Sequence, residues 1–167
     1  MPIIYLSTEI KAPIQICFDL ARSIDLHKLS MKHTNEKAIA GRVSGLIELG
    51  ESVTWQAKHF GIKQQLTSKI TGFTYPVFFR DEMTKGVFKR INHEHWFLNE
   101  NGHTVMTDVF EFESPYGFFG KVFNNLILYD YLRQLLENRN ALIKLIAEGG
   151  QWKSLLNYEQ TTSYYEH

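Results

Sequence analysis

The sequence predicts a single α+β domain, with a curved antiparallel sheet of about six or seven strands closing around one long C-terminal helix. Three observations predict it. From Glu51 to Glu113 apolar and polar residues alternate with a period near two, the mark of half-buried strands. No proline occurs between Phe118 and Glu148, and no glycine between Gly120 and Gly149, so one uninterrupted helix fits there. Ahead of both, a β-branched stretch breaks at Ala12-Pro13 and gives way to helical spacing.

Taken in order, residues 3–11 (IIYLSTEIK) read as the first strand. Pro13 is placed to open a helix, because the first turn does not need its missing N–H. Ile14, Cys17, Phe18 and Ala21 then share a helical face. A second short helix is expected from Leu26 to Met31. Gly41, Gly45 and Gly50 punctuate residues 35–50, which hold one or two short strands around a loop. On the next strand Val53, Trp55, Ala57 and His59 share a face, and Gly61 turns the chain. Ile62, Gln64, Leu66, Ser68 and Ile70 follow on one face. Val77, Phe79, Asp81 and Met83 do so on the strand after. Thr84-Lys85-Gly86 reads as a three-residue hairpin loop with Gly86 at positive φ. Val87, Ile91, His93, His95 and Phe97 then align, and Asn99-Glu100-Asn101-Gly102 is a turn. Met106, Asp108, Phe110 and Phe112 form the last strand face.

The long helix runs from about Phe118 to Glu148 and stops at Gly149-Gly150. Its apolar stripe changes phase: Phe119, Val122, Leu126 and Tyr129 lie on one side, and Leu128, Leu132, Leu135, Leu142 and Ile146 on nearly the other. Residues 1–150 are read as one domain. The tail, 151–167, has no clear period, which leaves room for partial disorder.

The 167 residues carry 18 Lys+Arg and 18 Asp+Glu. That balance gives no electrostatic footprint for nucleic acid or for an anionic membrane surface. Cys17 is the only cysteine, so an intrachain disulfide and a four-cysteine zinc site are excluded. The first residues lack a basic n-region, and no apolar run approaches the ~20 residues that span a bilayer. A cytoplasmic protein is expected, without stable membrane insertion, as a monomer or weak homodimer.

The order of strand, two short helices, antiparallel strands and long helix resembles the START-like, or SRPBCC, superfamily and its helix-grip fold. The segments STEIKAPIQICFDLARSIDLH, HFG, FFRDEMTKGVFKRINHEHWF and MTDVFEFESPYGFFGKVFN resemble a bacterial, largely uncharacterised branch of ligand-binding SRPBCC proteins. The resemblance spans roughly residues 3–148. It implies a deep cavity between sheet and helix, suited to an apolar or amphipathic small molecule such as a lipid or polyketide. Fold alone does not choose a chemistry.

The strand faces supply candidates of their own. If the NENG turn sets Leu98 opposite His103, His95 falls opposite Met106 and His93 opposite Asp108, all on the apolar and therefore inner face. The inward ionisable groups are then His59, Asp81, His93, His95 and Asp108. Trp55, Phe79, Met83, Phe97 and Met106 line them. Asp108 would orient His93 and raise its pKa, and Lys89 would face Asp81 across the TKG hairpin. Four readings follow: a satisfied polar network within a core; an anchor for the polar end of a ligand; a metal site using the H-x-H pair with His59 or Asp108; or acid–base catalysis by His93 and Asp108. The H-x-H spacing is not diagnostic, and no metal or cofactor is assigned. His27 and His33 read as rim residues. Arg139 lies on the helix side that carries Leu128, Leu135 and Leu142, where it would snorkel, pair, or meet an anionic head group.

The function expected is binding or carriage of an apolar or amphipathic small molecule with a polar or acidic end. The alternatives are a cyclase/dehydrase-type enzyme using His93 and Asp108 in the same cavity, and a protein-interaction module.

Overall fold

A computed structural model describes residues 1–114 and 127–156. The expected helix start near Phe118, with Phe119, Val122 and Leu126, and the tail beyond Leu156 lie outside those residues. Among the described residues seven strands form one antiparallel sheet: β1 (Ile3–Ile10), β2 (Lys37–Gly41), β3 (Ser52–His59), β4 (Ile62–Thr74), β5 (Phe78–Lys85), β6 (Arg90–Glu100) and β7 (His103–Glu113). Their spatial order is β1-β7-β6-β5-β4-β3-β2. Between β1 and β2 lie α1 (Ile14–Ala21), α2 (Ile24–Ser30) and a 3₁₀ turn (Lys32–Thr34). The long helix is α3 (Tyr129–Gly149), and a short α4 (Trp152–Leu155) follows. No helix among the described residues is long and apolar enough to cross a membrane.

Local chemistry accounts for the ends of these elements. Pro13 stands just before α1 with its carbonyl accepting from Ile16 and Cys17. Ser23 caps α2 by accepting from the Leu26 amide at 3.2 Å, satisfying a donor the first turn leaves free. Gly150, at φ 79°, ends α3 in the left-handed conformation, which glycine adopts without a Cβ penalty.

Two hairpin details differ from the sequence reading. Only Asn101 and Gly102, at φ 54° and 84°, form the β6–β7 turn, because Glu100 already pairs with His103. Leu98 therefore faces Val105, His95 faces Asp108 and His93 faces Phe110. The slip is two residues, and the side-chain period is also two, so every residue keeps its face. The second difference is larger. No tight TKG hairpin forms: β5 and β6 pair only as far as Glu82 and Asn92. Asp81 thus faces His93, not Lys89, and Lys89 pairs with Glu113 at 3.0 Å. Gly86 is not at positive φ. A Cβ there would meet the Met83 sulfur at 2.7 Å, so its small size serves a close approach.

The concave face of the sheet carries the core, and α3 packs across it against β1, α1 and α2. Two apolar clusters form. One gathers Ile10, Phe18, Phe97, Met106, Ile143 and Ile146; the other gathers Ile4, Leu6, Ile91, Phe110, Phe112, Leu128 and Leu136. Between them four elements present polar side chains at one level: Thr8 on β1, His93 and His95 on β6, Asp108 on β7, and Arg139 and Asn140 on α3. The buried side of α3 includes Leu136, Asn140 and Ile143, which the sequence stripe omitted. Leu142 is only half-buried. Residues 151–156 do not trail free: Trp152, Leu155 and Leu156 pack against the first cluster.

Candidate functional site

Asp108 is the centre of the polar belt and has no exposed surface. Its Oδ1 lies 2.8 Å from His93 Nε2 and 3.0 Å from His95 Nδ1. Arg139 donates through Nη1 to the same oxygen at 3.1 Å, and Asn140 donates to Oδ2 at 2.6 Å. The other guanidinium nitrogen, Nη2, donates to the Ala21 carbonyl at 3.2 Å, which ties α3 to the last residue of α1. Burial alone would raise the Asp108 pKa, but the hydrogen bonds from both histidines and the Arg139 charge hold it well below the usual range.

Each imidazole turns its other nitrogen toward Asp81. His95 Nε2 is 3.2 Å and His93 Nδ1 is 3.8 Å from Asp81 Oδ2. Burial pushes Asp81 up, yet the His95 hydrogen bond and the neighbouring positive charges leave its pKa lowered. His93 moves opposite to expectation. Burial, with the His95 charge second, lowers its pKa to about 4, although Asp108 pulls it upward. Desolvation outweighs the carboxylate because the ring is almost fully enclosed. His95 stacks on Phe79 with centroids 4.0 Å apart.

These side chains open on a cavity of about 660 Å³ between the sheet, α2 and α3. Of the residues expected at a site, Trp55, His59, Phe79, Asp81, His93 and His95 line it. Met83, Phe97, Met106 and Asp108 do not: Met83 packs on the second apolar cluster, Phe97 and Met106 lie in the first, and Asp108 sits behind the histidines. His59 is separated from Asp81 by most of the sheet's length. It pairs with Ile62, whereas Asp81 pairs with Ile70, eight residues along β4.

His59 belongs to a second polar group at the other end of the cavity. Its Nδ1 is 2.7 Å from the Tyr131 hydroxyl. His27, whose ring lies tilted against Trp55, is 2.9 Å from Glu36. Burial raises Glu36, but the His27 hydrogen bond and the charges of His27, His59 and His33 bring it below its ordinary value. Burial lowers His59, with Glu36 opposing. His33 is exposed and does not line the cavity. Tyr131, Glu36 and Asn140 were missed from sequence. Asn140 had a signal, since it stands on a buried stripe with Leu136 and Ile143. Glu36 had none, because it precedes a short edge strand without periodicity.

No protein-family model matches the chain, and no curated protein does. Solved structures do. The protein TTHA0849 from Thermus thermophilus superposes with a TM-score of 0.66 at 19% identity, over 85% of this chain and 97% of that one. A START superfamily protein from Mycobacterium smegmatis gives 0.65 at 8% identity, over 86% and 98%. Major latex-like protein 151 from Panax ginseng gives 0.56 at 13% identity, over 84% and 95%. The chain has the START-like helix-grip fold. At these identities the likeness concerns the fold, so chemistry has to be argued from the cavity. In this helix-grip domain the cavity has apolar walls and two separate polar ends.

Proposed function

We propose that this chain binds and carries an apolar or amphipathic small molecule, in the cytoplasm, within the cavity under α3. The observation that carries the reading is the cavity of about 660 Å³ with Asp81, His93 and His95 on its wall, a size and composition usual for ligand sites. Trp55 and Phe79 would flank the apolar body. The fixed charges of Asp81, Asp108 and Arg139 leave one negative charge at the inner end, and Arg139 is already occupied by Asp108. Of the polar or acidic end expected from sequence, a hydroxyl or amine therefore suits this end of the cavity better than an acid.

The cyclase/dehydrase alternative gains less support. Asp108 does orient His93 through Nε2, but a histidine held near 4 is poorly matched to proton abstraction at neutral pH, and its other nitrogen, Nδ1, faces the Asp81 carboxylate at 3.8 Å. Native mass spectrometry of protein purified from its own host, beside a denatured sample, tests the binding reading. An added organic mass lost on denaturation is expected. A bare chain that also fails to enhance the fluorescence of an apolar probe would sink it.

A further inference from the structure

We infer that Asp81, His93 and His95 form a site for one divalent first-row transition-metal ion. The inference goes beyond ligand carriage and does not depend on it. One donor atom from each of the three residues lies within 4.8 Å of the other two, and Asp81 Oδ2 faces His95 Nε2 and His93 Nδ1. A metal about 2.1 Å from each donor would set neighbouring donors about 3 to 3.6 Å apart. The observed 3.2 and 3.8 Å to Asp81 approach this with small side-chain rotations. Two strands hold the geometry: the histidines alternate on β6, and Asp81 stands opposite His93 on β5.

The far side of each ring strengthens the case. Metal-binding imidazoles characteristically give their remaining N–H to a carboxylate, which fixes tautomer and orientation. Here one buried carboxylate, Asp108, lies within hydrogen-bond distance of both rings. Arg139 and Asn140 hold Asp108 in turn. With one proton on each ring directed to Asp108, two imidazole lone pairs and the Asp81 carboxylate converge on one point, which calls for a cation.

Two imidazoles and one carboxylate suit zinc, iron(II) or cobalt(II) rather than magnesium or calcium. All three donors line the cavity. Coordination positions left by the protein would thus face whatever the cavity holds. A divalent ion would also reverse the sign of the inner end and favour an anionic donor there.

The test is a titration of chelator-treated protein with Co²⁺ at pH 7.5, with no cavity ligand present. The expected result is one Co²⁺ per chain with visible d–d absorption, displaced by Zn²⁺. Asp81→Asn, His93→Ala and His95→Ala should each weaken uptake more than about tenfold, while His103→Gln, half-buried at the far end of the β6–β7 hairpin, leaves it unchanged. Asp81 stands at the cavity wall, so Asp81→Asn carries the comparison where a histidine variant fails to fold. Absence of stoichiometric uptake by the wild-type chain overturns the inference. So does uptake that Asp81→Asn leaves intact, which would assign the ion to other histidines. Either negative result leaves the binding reading standing, because organic occupancy is measured separately.

Discussion

At the scale of single residues, Asp108 holds the most connected position. It satisfies two histidines, a guanidinium and an amide while itself lying out of reach of solvent. Breaking a buried charge pair from one side leaves the other charge uncompensated. Asp108→Asn should therefore destabilise the fold by about 3 kcal/mol, read from urea denaturation. Adding Arg139→Met to that variant should recover part of the loss, because the stranded charge is then gone. The second expectation concerns pH. Unfolded histidine titrates near 6.5 and folded His93 near 4, so as pH falls the unfolded chain takes up its proton first. The stability from keeping His93 neutral is fully present above about 6.5 and is lost progressively down to about 4. It amounts to about 3 kcal/mol in total. Asp81 and Asp108, both depressed, extend the loss to lower pH. Denaturation midpoints of chelator-treated protein between pH 7 and 4 measure it, and a flat profile would contradict the assignment.

At the scale of elements, the faces of β3 to β7 were legible and their register was not. His93, His95 and Asp108 were placed together because alternation alone fixes which side of a strand a residue takes. The β6–β7 register depended on whether two or four residues of NENG turn, and only the left-handed pair Asn101-Gly102 does. The β5–β6 connection misled because glycine after Thr-Lys suggests a tight loop, whereas Gly86 has no positive φ and sits beside the Met83 side chain. Helix α3 gave its end clearly at Gly150 but its buried side less so, since Leu142 and Ile143 compete and only the packing partner decides. Gly41 offers a test at this scale. It sits at φ 74°, and a Cβ there would clash with the Ser52 carbonyl oxygen. Gly41→Ala should cost at least about 1 kcal/mol from backbone conformation alone, and more from the clash, seen as a lowered Tm. A neutral result would mean that β2 can leave the sheet edge without consequence.

At the scale of the whole molecule, the polar belt divides the core into two apolar clusters, and the cavity opens against that belt. Filling the cavity and emptying the core should then have opposite effects. Ala57 lines the cavity from β3, so Ala57→Trp adds apolar bulk where space exists. Probe affinity should fall about tenfold or more, while Tm holds or rises because the ring gains burial without displacing packed neighbours. Loss of Tm with unchanged affinity would show that the space is not the binding site.

The same cavity governs how the protein answers hydrostatic compression. Unfilled interior volume disappears on unfolding, so pressure favours the disordered chain in proportion to it. The cavity of about 660 Å³ beneath α3 is partly open, with the exposed Lys63, Gln65 and Val87 in its lining, so the share that stays dry sets the effect, and the vacant protein should unfold at lower pressure than the filled one. An occupant shrinks the volume change and raises the midpoint pressure. A compression series monitored by tryptophan emission thus reports whether the interior is filled, without knowledge of the filling molecule's identity.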